Sequence, residues 1–207
     1  IEKLSLNVDE LSKLLSDKKL RGIYGETQLY NILDNVFGEG NKVLYEKQYK
    51  IGSSVADAVI HGHENMKDLV IDSKFPLENF KLMNNEEASN DERTQASKDF
   101  KNDVKKHIDN IKNRYIIRDI TSDQAIMFSP SESVFSIIHS KYPELIEYAQ
   151  KQSVWITSPT TLVYMLTMIL VISNNAIKQK NAERILKELE DIFDDYKRFF
   201  DRWNELN

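Results

Sequence analysis

Across 207 residues there is no cysteine, which excludes thiolate-held zinc, iron–sulfur clusters, disulfide staples and thiol nucleophiles. The absence fits an intracellular, cytoplasmic protein. Long hydrophobic runs are also lacking. The longest lies within Thr160–Ile172, short of the roughly 20 residues a membrane span needs, so it reads as a buried core helix with no membrane contact in this segment. No secretory signal is visible, and the first residue is Ile1 rather than methionine, which points to removed upstream sequence. Positive charge is in short supply too. A net charge of −5 is the wrong sign for wrapping DNA, so any nucleic-acid contact has to be local or assisted by bound cations.

Hydrophobic residues at 41% against 29% charged suit one soluble globular domain with a core that needs no staples, and the order of strands and helices along the chain makes it α/β. Leu4, Val8, Leu11 and Leu15 keep heptad spacing, as at the end of a longer helix. Asp17 and Gly22 bracket an expected break or kink. A second helix follows, with Ile23, Leu29, Ile32, Leu33 and Val36 on one side, stopping near Gly38 and Gly40. Three strands are expected next, over Lys42–Ile51, Ser54–Ile60 and Asp68–Lys74, forming a meander. Met83–Thr94 is polar and reads as a loop or frayed helix. Ala96–Tyr115 follows as a charged helix whose apolar seam is Phe100, Val104, His107, Ile108 and Ile111. Strand and helix then alternate: Gln124–Phe128, a helix opening at Ser129-Pro130-Ser131-Glu132, Val154–Ile156, and the apolar helix opening at Ser158-Pro159. The chain closes on Ile185, Leu189, Ile192, Tyr196, Phe199, Trp203 and Leu206 at 4-3 spacing, a seam for a partner helix or a second copy of the chain.

Chemistry concentrates in the meander. Asp57 interrupts the apolar Val55-Ala56-Asp57-Ala58-Val59, and Asp72 and Lys74 interrupt Leu69–Lys74. Strand side chains alternate faces, so Asp72 and Lys74 project together while Ser73 points away. A hairpin folding about residues 64–65 sets Asp57 opposite Asp72, with Cβ atoms roughly 5 Å apart. Two carboxylates so placed repel unless a cation or Lys74 compensates them. One reading is an ordinary cross-strand salt bridge. The other is a site for Mg²⁺ or Mn²⁺ held by Asp57, Asp72 and the Ser73 carbonyl, with Glu26 from the preceding helix completing the shell. In that site Lys74 orients water or steadies developing charge.

Four segments carry a family resemblance. Gly22-Ile23-Tyr24-Gly25-Glu26 resembles a G-x-W-G-E helix, and Val55-Ala56-Asp57 stands where the family has a P-D pair. Val70-Ile71-Asp72-Ser73-Lys74 is similar to a V-I-D-S-K strand, and Met127–Glu132 with Ser158–Leu162 resembles later P-S-E and S-P-T-T-L segments. The chain resembles the RmuC family, named for DNA recombination proteins and placed in the PD-(D/E)XK nuclease superfamily. Tyr24 replaces a Trp, Ala56 a Pro, and Thr167 and Ser173 stand where a basic and an aromatic residue are expected. The resemblance implies a restriction-endonuclease-like mixed sheet flanked by helices, with helical N- and C-terminal extensions. It also implies metal-dependent DNA hydrolysis in recombination or rearrangement control, and a coiled coil and membrane anchor upstream. The divisions expected are 1–18, the end of an N-terminal helix or coiled coil; 19–176, the nuclease-like domain; and 177–207, the heptad helix. The competing reading is a DNA-binding or scaffolding module whose site is weak or unused.

Gln48, Lys19, Arg21 and Glu132 are candidate substrate contacts, each also readable as a surface or helix-end residue. His61-Gly62-His63-Glu64 reads as an exposed turn in preference to a metal cluster, and Ser158 as a helix cap in preference to a nucleophile.

Overall fold

The computed structural model describes residues 17–62 and 66–205. The Asp17 carboxylate accepts the main-chain N–H groups of Lys19 at 2.8 Å and Leu20 at 3.0 Å, which starts helix α1 (Lys18–Phe37). The helix ends at Gly38, where φ is 88°. It runs through Gly22 without the expected break. Asp17 is a cap rather than one side of a kink, and burial of Leu29, Ile32, Leu33 and Phe37 outweighs the helix cost of one glycine.

A turn at Asn41–Leu44 delays the first strand, so β1 spans Tyr45–Ile51 rather than starting at Lys42. It pairs antiparallel with β2 (Ser54–Ile60), which pairs antiparallel with β3 (Asp68–Ser73). From β3 the chain crosses through α2 (Leu77–Met83) and α3 (Asn90–Tyr115) to β4 (Thr121–Phe128). A second crossover through α4 (Glu132–Lys141) and α5 (Pro143–Lys151) reaches β5 (Val154–Thr157). Strands β3, β4 and β5 are parallel, and the sheet order is β1-β2-β3-β4-β5. The result is a five-stranded mixed sheet flanked by helices.

Met83–Thr94 is not a loop. Only residues 84–89 lie between two helices, because Ser89 and Glu92 form a reciprocal capping box that opens α3: the Glu92 N–H donates to Ser89 Oγ at 3.3 Å and the Ser89 N–H to Glu92 Oε2 at 2.8 Å. Replacing Ser89 by Ala is expected to cost about 1 kcal/mol. Urea denaturation checks this, and an unshifted midpoint would mean that the cap contributes nothing. Helix α3 buries Ala96, Phe100, Val104, Ile108, Ile111 and Tyr115 against a core that includes Val70, Ala125, Met127 and Val154. His107, placed in that seam by spacing, instead turns toward a cleft described below.

Helix α6 spans Pro159–Glu205, and the chain divides into two compact units, one ending at Leu166 and the other beginning at Thr167. In the first unit α6 buries Leu162 and Leu166 but leaves Tyr164 68% exposed. The apolar run is therefore covered along one face and not all round. In the second unit Ile185, the first residue of the heptad seam, is exposed. Leu4–Leu15, His63, Glu64, Leu206 and the side chains of Leu189, Ile192, Tyr196, Phe199 and Trp203 lie outside the described residues. No helix among the described residues is long and apolar enough to cross a membrane.

Candidate active site

The β2–β3 ladder pairs Ala58 with Ile71, so the next pair along it sets Asp57 opposite Asp72. The two strands are antiparallel and adjacent, in the register that a turn at residues 64–65 demands. Asp57 Oδ2 accepts the Ser73 N–H at 2.7 Å. Asp72 is 3% exposed, and its Oδ2 pairs with the Lys74 ammonium while accepting no well-directed hydrogen bond. The same ammonium donates to the Ser73 carbonyl at 3.2 Å. Lys74 thus lies between two of the oxygens a cation would use. Burial and then the Asp72 charge push the Asp57 carboxyl up to about 6; the Ser73 N–H and Lys74 oppose this, and Glu26 adds to it. The α3 residue Tyr115 closes this face of the sheet, its hydroxyl donating to the Val55 carbonyl at 2.8 Å.

Glu26 is half-buried on α1. The Gln48 amide donates to Glu26 Oε2 at 3.1 Å and to the Tyr30 hydroxyl at 2.7 Å, and that hydroxyl lies 3.4 Å from the same carboxylate oxygen. Gln48 stands opposite Asp57 in the β1–β2 register and has a φ of 51°, a left-handed conformation unusual within a strand. This strained residue makes the bridge from β1 to Glu26. Among the described residues no three acidic or histidine side chains converge into a metal cluster, yet the Glu26 charge reaches the Asp57 carboxyl and helps to raise it. The opposed pair with the Ser73 carbonyl suits a hard divalent cation. Two opposed carboxylates and a main-chain carbonyl are oxygen donors, and one buried carboxylate oxygen is held by charge alone.

Gly25 places α1 over this end of the sheet. A Cβ there would stand 2.6 Å from Ser73 Oγ and 3.4 Å from Pro130, so the glycine permits close helix–strand contact. At the C-terminal end of β3 lies a cleft of about 430 Å³, walled by Lys18, Arg21 and Gly22 of α1, by Asp103 and His107 of α3, and by Lys74. Burial, followed by the Lys74 charge, holds the His107 imidazole below its ordinary value, although Asp103 and Asp72 pull the other way. Arg21 is buried and pairs with Glu78 at 2.6 Å, an ion pair whose acidic partner is 70% exposed.

The sites expected from sequence therefore divide. Asp57, Asp72, Ser73 and Lys74 come together, Gln48 and Glu26 form their flank, and Arg21 lines the cleft. Lys19 does not line it, and its neighbour Lys18 does. Glu132 accepts the Thr160 N–H at 2.8 Å, which ties the start of α4 to the start of α6. Ser158 caps α6, its Oγ accepting the Thr161 N–H at 3.2 Å. Asp103 and His107 were not foreseen as cleft residues. Their i, i+4 spacing, which sets an acid and an imidazole side by side on one helix, was the available signal.

The model of the RmuC family matches residues 1–207. The chain belongs to the RmuC family. It is 28% identical over 214 residues to a DNA recombination protein RmuC homolog of Chlamydia muridarum, covering 99% of this chain and 47% of that protein. It is 29% identical over 203 residues to the DNA recombination protein RmuC of Escherichia coli K12, covering 91% and 41%, respectively. For the homolog of Vibrio cholerae the identity is 28% over 195 residues, covering 90% and 37%. The chain thus spans less than half the length of these curated relatives.

Proposed function

We propose that this chain hydrolyses DNA phosphodiester bonds with Mg²⁺ or Mn²⁺, in DNA recombination, through a PD-(D/E)XK-type site on a restriction-endonuclease-like sheet. The observation that carries the reading is the pair of opposed, largely buried carboxylates, Asp57 and Asp72, with Lys74 against them. Such a pair is costly in a metal-free protein: burial first, and then the Asp72 charge, raise the Asp57 carboxyl. The names of the family relatives, DNA recombination protein RmuC, support the substrate.

In this reading Asp57, Asp72 and the Ser73 carbonyl hold the cation. When bound, it supplies the charge that polarises a phosphodiester and acidifies water. Lys74 sits at the cleft with a half-buried ammonium, placed to meet negative charge developing on phosphate. Gln48 and Tyr30 fix Glu26 beside the pair, where it can orient water or a second cation.

A second reading, a DNA-binding or scaffolding module with an unused site, is favoured by the net charge of −5. End-labelled single- and double-stranded DNA incubated with Mg²⁺ or Mn²⁺ separates them. Cleavage that EDTA stops is the expected result, and intact DNA under every divalent cation would leave the module reading.

A further inference from the structure

Two glycines of α1 stand three residues apart, and only one has a reason inside the protein. Gly25 packs on Ser73, whereas a Cβ on Gly22 would meet nothing within 4 Å. Gly22 has no left-handed backbone to explain it either, and a glycine inside a helix is unfavourable relative to alanine. It lines the cleft next to Arg21, one turn from Lys18 and facing the chamber that contains Lys74.

The other groups there say what the vacant side-chain space admits. Lys18, Arg21 and Lys74 are cationic, and His107 is held toward its neutral form. Of the two acids in the lining, Asp103 is engaged by the Asn79 amide at 2.7 Å and Glu78 by Arg21 at 2.6 Å. A largely exposed carboxylate on a buried guanidinium marks a place where an anion is already favoured, and guanidinium matches phosphate as well as carboxylate. Phe75, stacked on Tyr24 at 6.4 Å between ring centroids, adds an aromatic ring to the wall. The volume of about 430 Å³ falls at the small end of the range that takes one drug-sized molecule, which fits a nucleotide-sized segment and not a double helix.

We propose that this cleft seats one nucleotide of single-stranded DNA, its phosphate toward Arg21 and Lys18 and its backbone passing over the bare face of Gly22. The proposal rests on the reading of the neighbouring carboxylates as a DNA site, and it names the strand form that the site accepts. The phosphate takes over the position of the Glu78 carboxylate on Arg21. Gly22 keeps the passage open.

The test is anisotropy of a fluorescein-labelled oligothymidylate binding to the full chain with EDTA present, so that no cleavage intervenes. Gly22→Ala is expected to fold normally, with an unchanged or raised Tm, yet to bind about tenfold more weakly, the scale of one lost charged hydrogen bond. Glu78→Gln, which releases Arg21 from that carboxylate, is expected to bind more tightly. An unlabelled duplex of the same length should compete poorly. Wild-type affinity in Gly22→Ala, no gain in Glu78→Gln, or a duplex competing as well as the single strand overturns the proposal. Cleavage by wild-type protein alongside an indifferent Gly22→Ala would sink this inference and leave the hydrolytic reading standing. Weakened binding in Gly22→Ala without cleavage under any cation would do the opposite.

Discussion

Asp72→Asn is expected to lower cation-dependent DNA cleavage by about 10²-fold or more, the scale seen when a charge-stabilising group is removed from an active site. The change keeps the size of the side chain and removes the charge that would hold the cation, so cation affinity measured by titration calorimetry should fall with the rate. Lys74→Ala should lose comparable activity while leaving both carboxylates to bind the cation. Fold stability should respond little to Asp72→Asn. The repulsion with Asp57 disappears, and the half-exposed Lys74 ammonium keeps the Ser73 carbonyl and water as partners. An ordinary buried salt bridge makes the contrary forecast: removing one partner strands the other charge at a cost of about 3–5 kcal/mol and leaves DNA activity untouched. Circular dichroism, denaturation and cleavage on the same two variants decide between them. Cleavage at the wild-type rate in both would remove these residues from the chemistry.

The metal-free protein is expected to lose stability between about pH 4 and pH 6 on account of Asp57. Its folded carboxyl is pushed up to about 6 from an ordinary 3.8, so the folded state holds the proton more tightly. Stability from this group is fully present below the unfolded value and falls as pH rises through the folded one, by about 3 kcal/mol in all. Asp57→Asn should therefore stabilise the protein at pH 7.5 in EDTA and make little difference at pH 4. Mg²⁺ or Mn²⁺ should raise the wild-type Tm at pH 7.5, where the ligands are ionised, and much less at pH 4.5. A wild-type protein whose stability rises from pH 4 to pH 6 by more than Asp57→Asn does would contradict the assignment.

Much of this was legible in the sequence where pattern and chemistry agree. The apolar strands interrupted by Asp57 and Asp72 fix both the meander and its register, because a one-residue slip would turn every buried valine and isoleucine outward. Ser131 and Ser158 announced their helices as side-chain caps. The short helix Leu77–Met83 was less visible, since Pro76 reads equally as a strand terminator and a helix opener. Ser89 and Glu92 did carry a capping signal, inside a stretch whose polarity suggested a loop. Within the site, Lys74 and Ser73 follow from strand alternation. The bridge from Gln48 to Glu26 does not, because it starts from a left-handed residue within a strand, which no alternation pattern encodes. The cleft required three separate helices to meet at the end of β3, a tertiary event that spacing along α3 hints at and cannot place.

The same left-handed residue has a consequence for solubility. Strand β1 forms one edge of the sheet, and a free edge offers a row of main-chain donors and acceptors to which a strand of another molecule can add. Such addition needs an unbroken extended ladder. At Gln48 the backbone leaves that conformation, and the exposed Lys47 and Lys50 set charges on either side of the interruption. A twist that anchors a glutamate on one flank of the carboxylate pair also blunts the border along which copies of this chain would otherwise zip together.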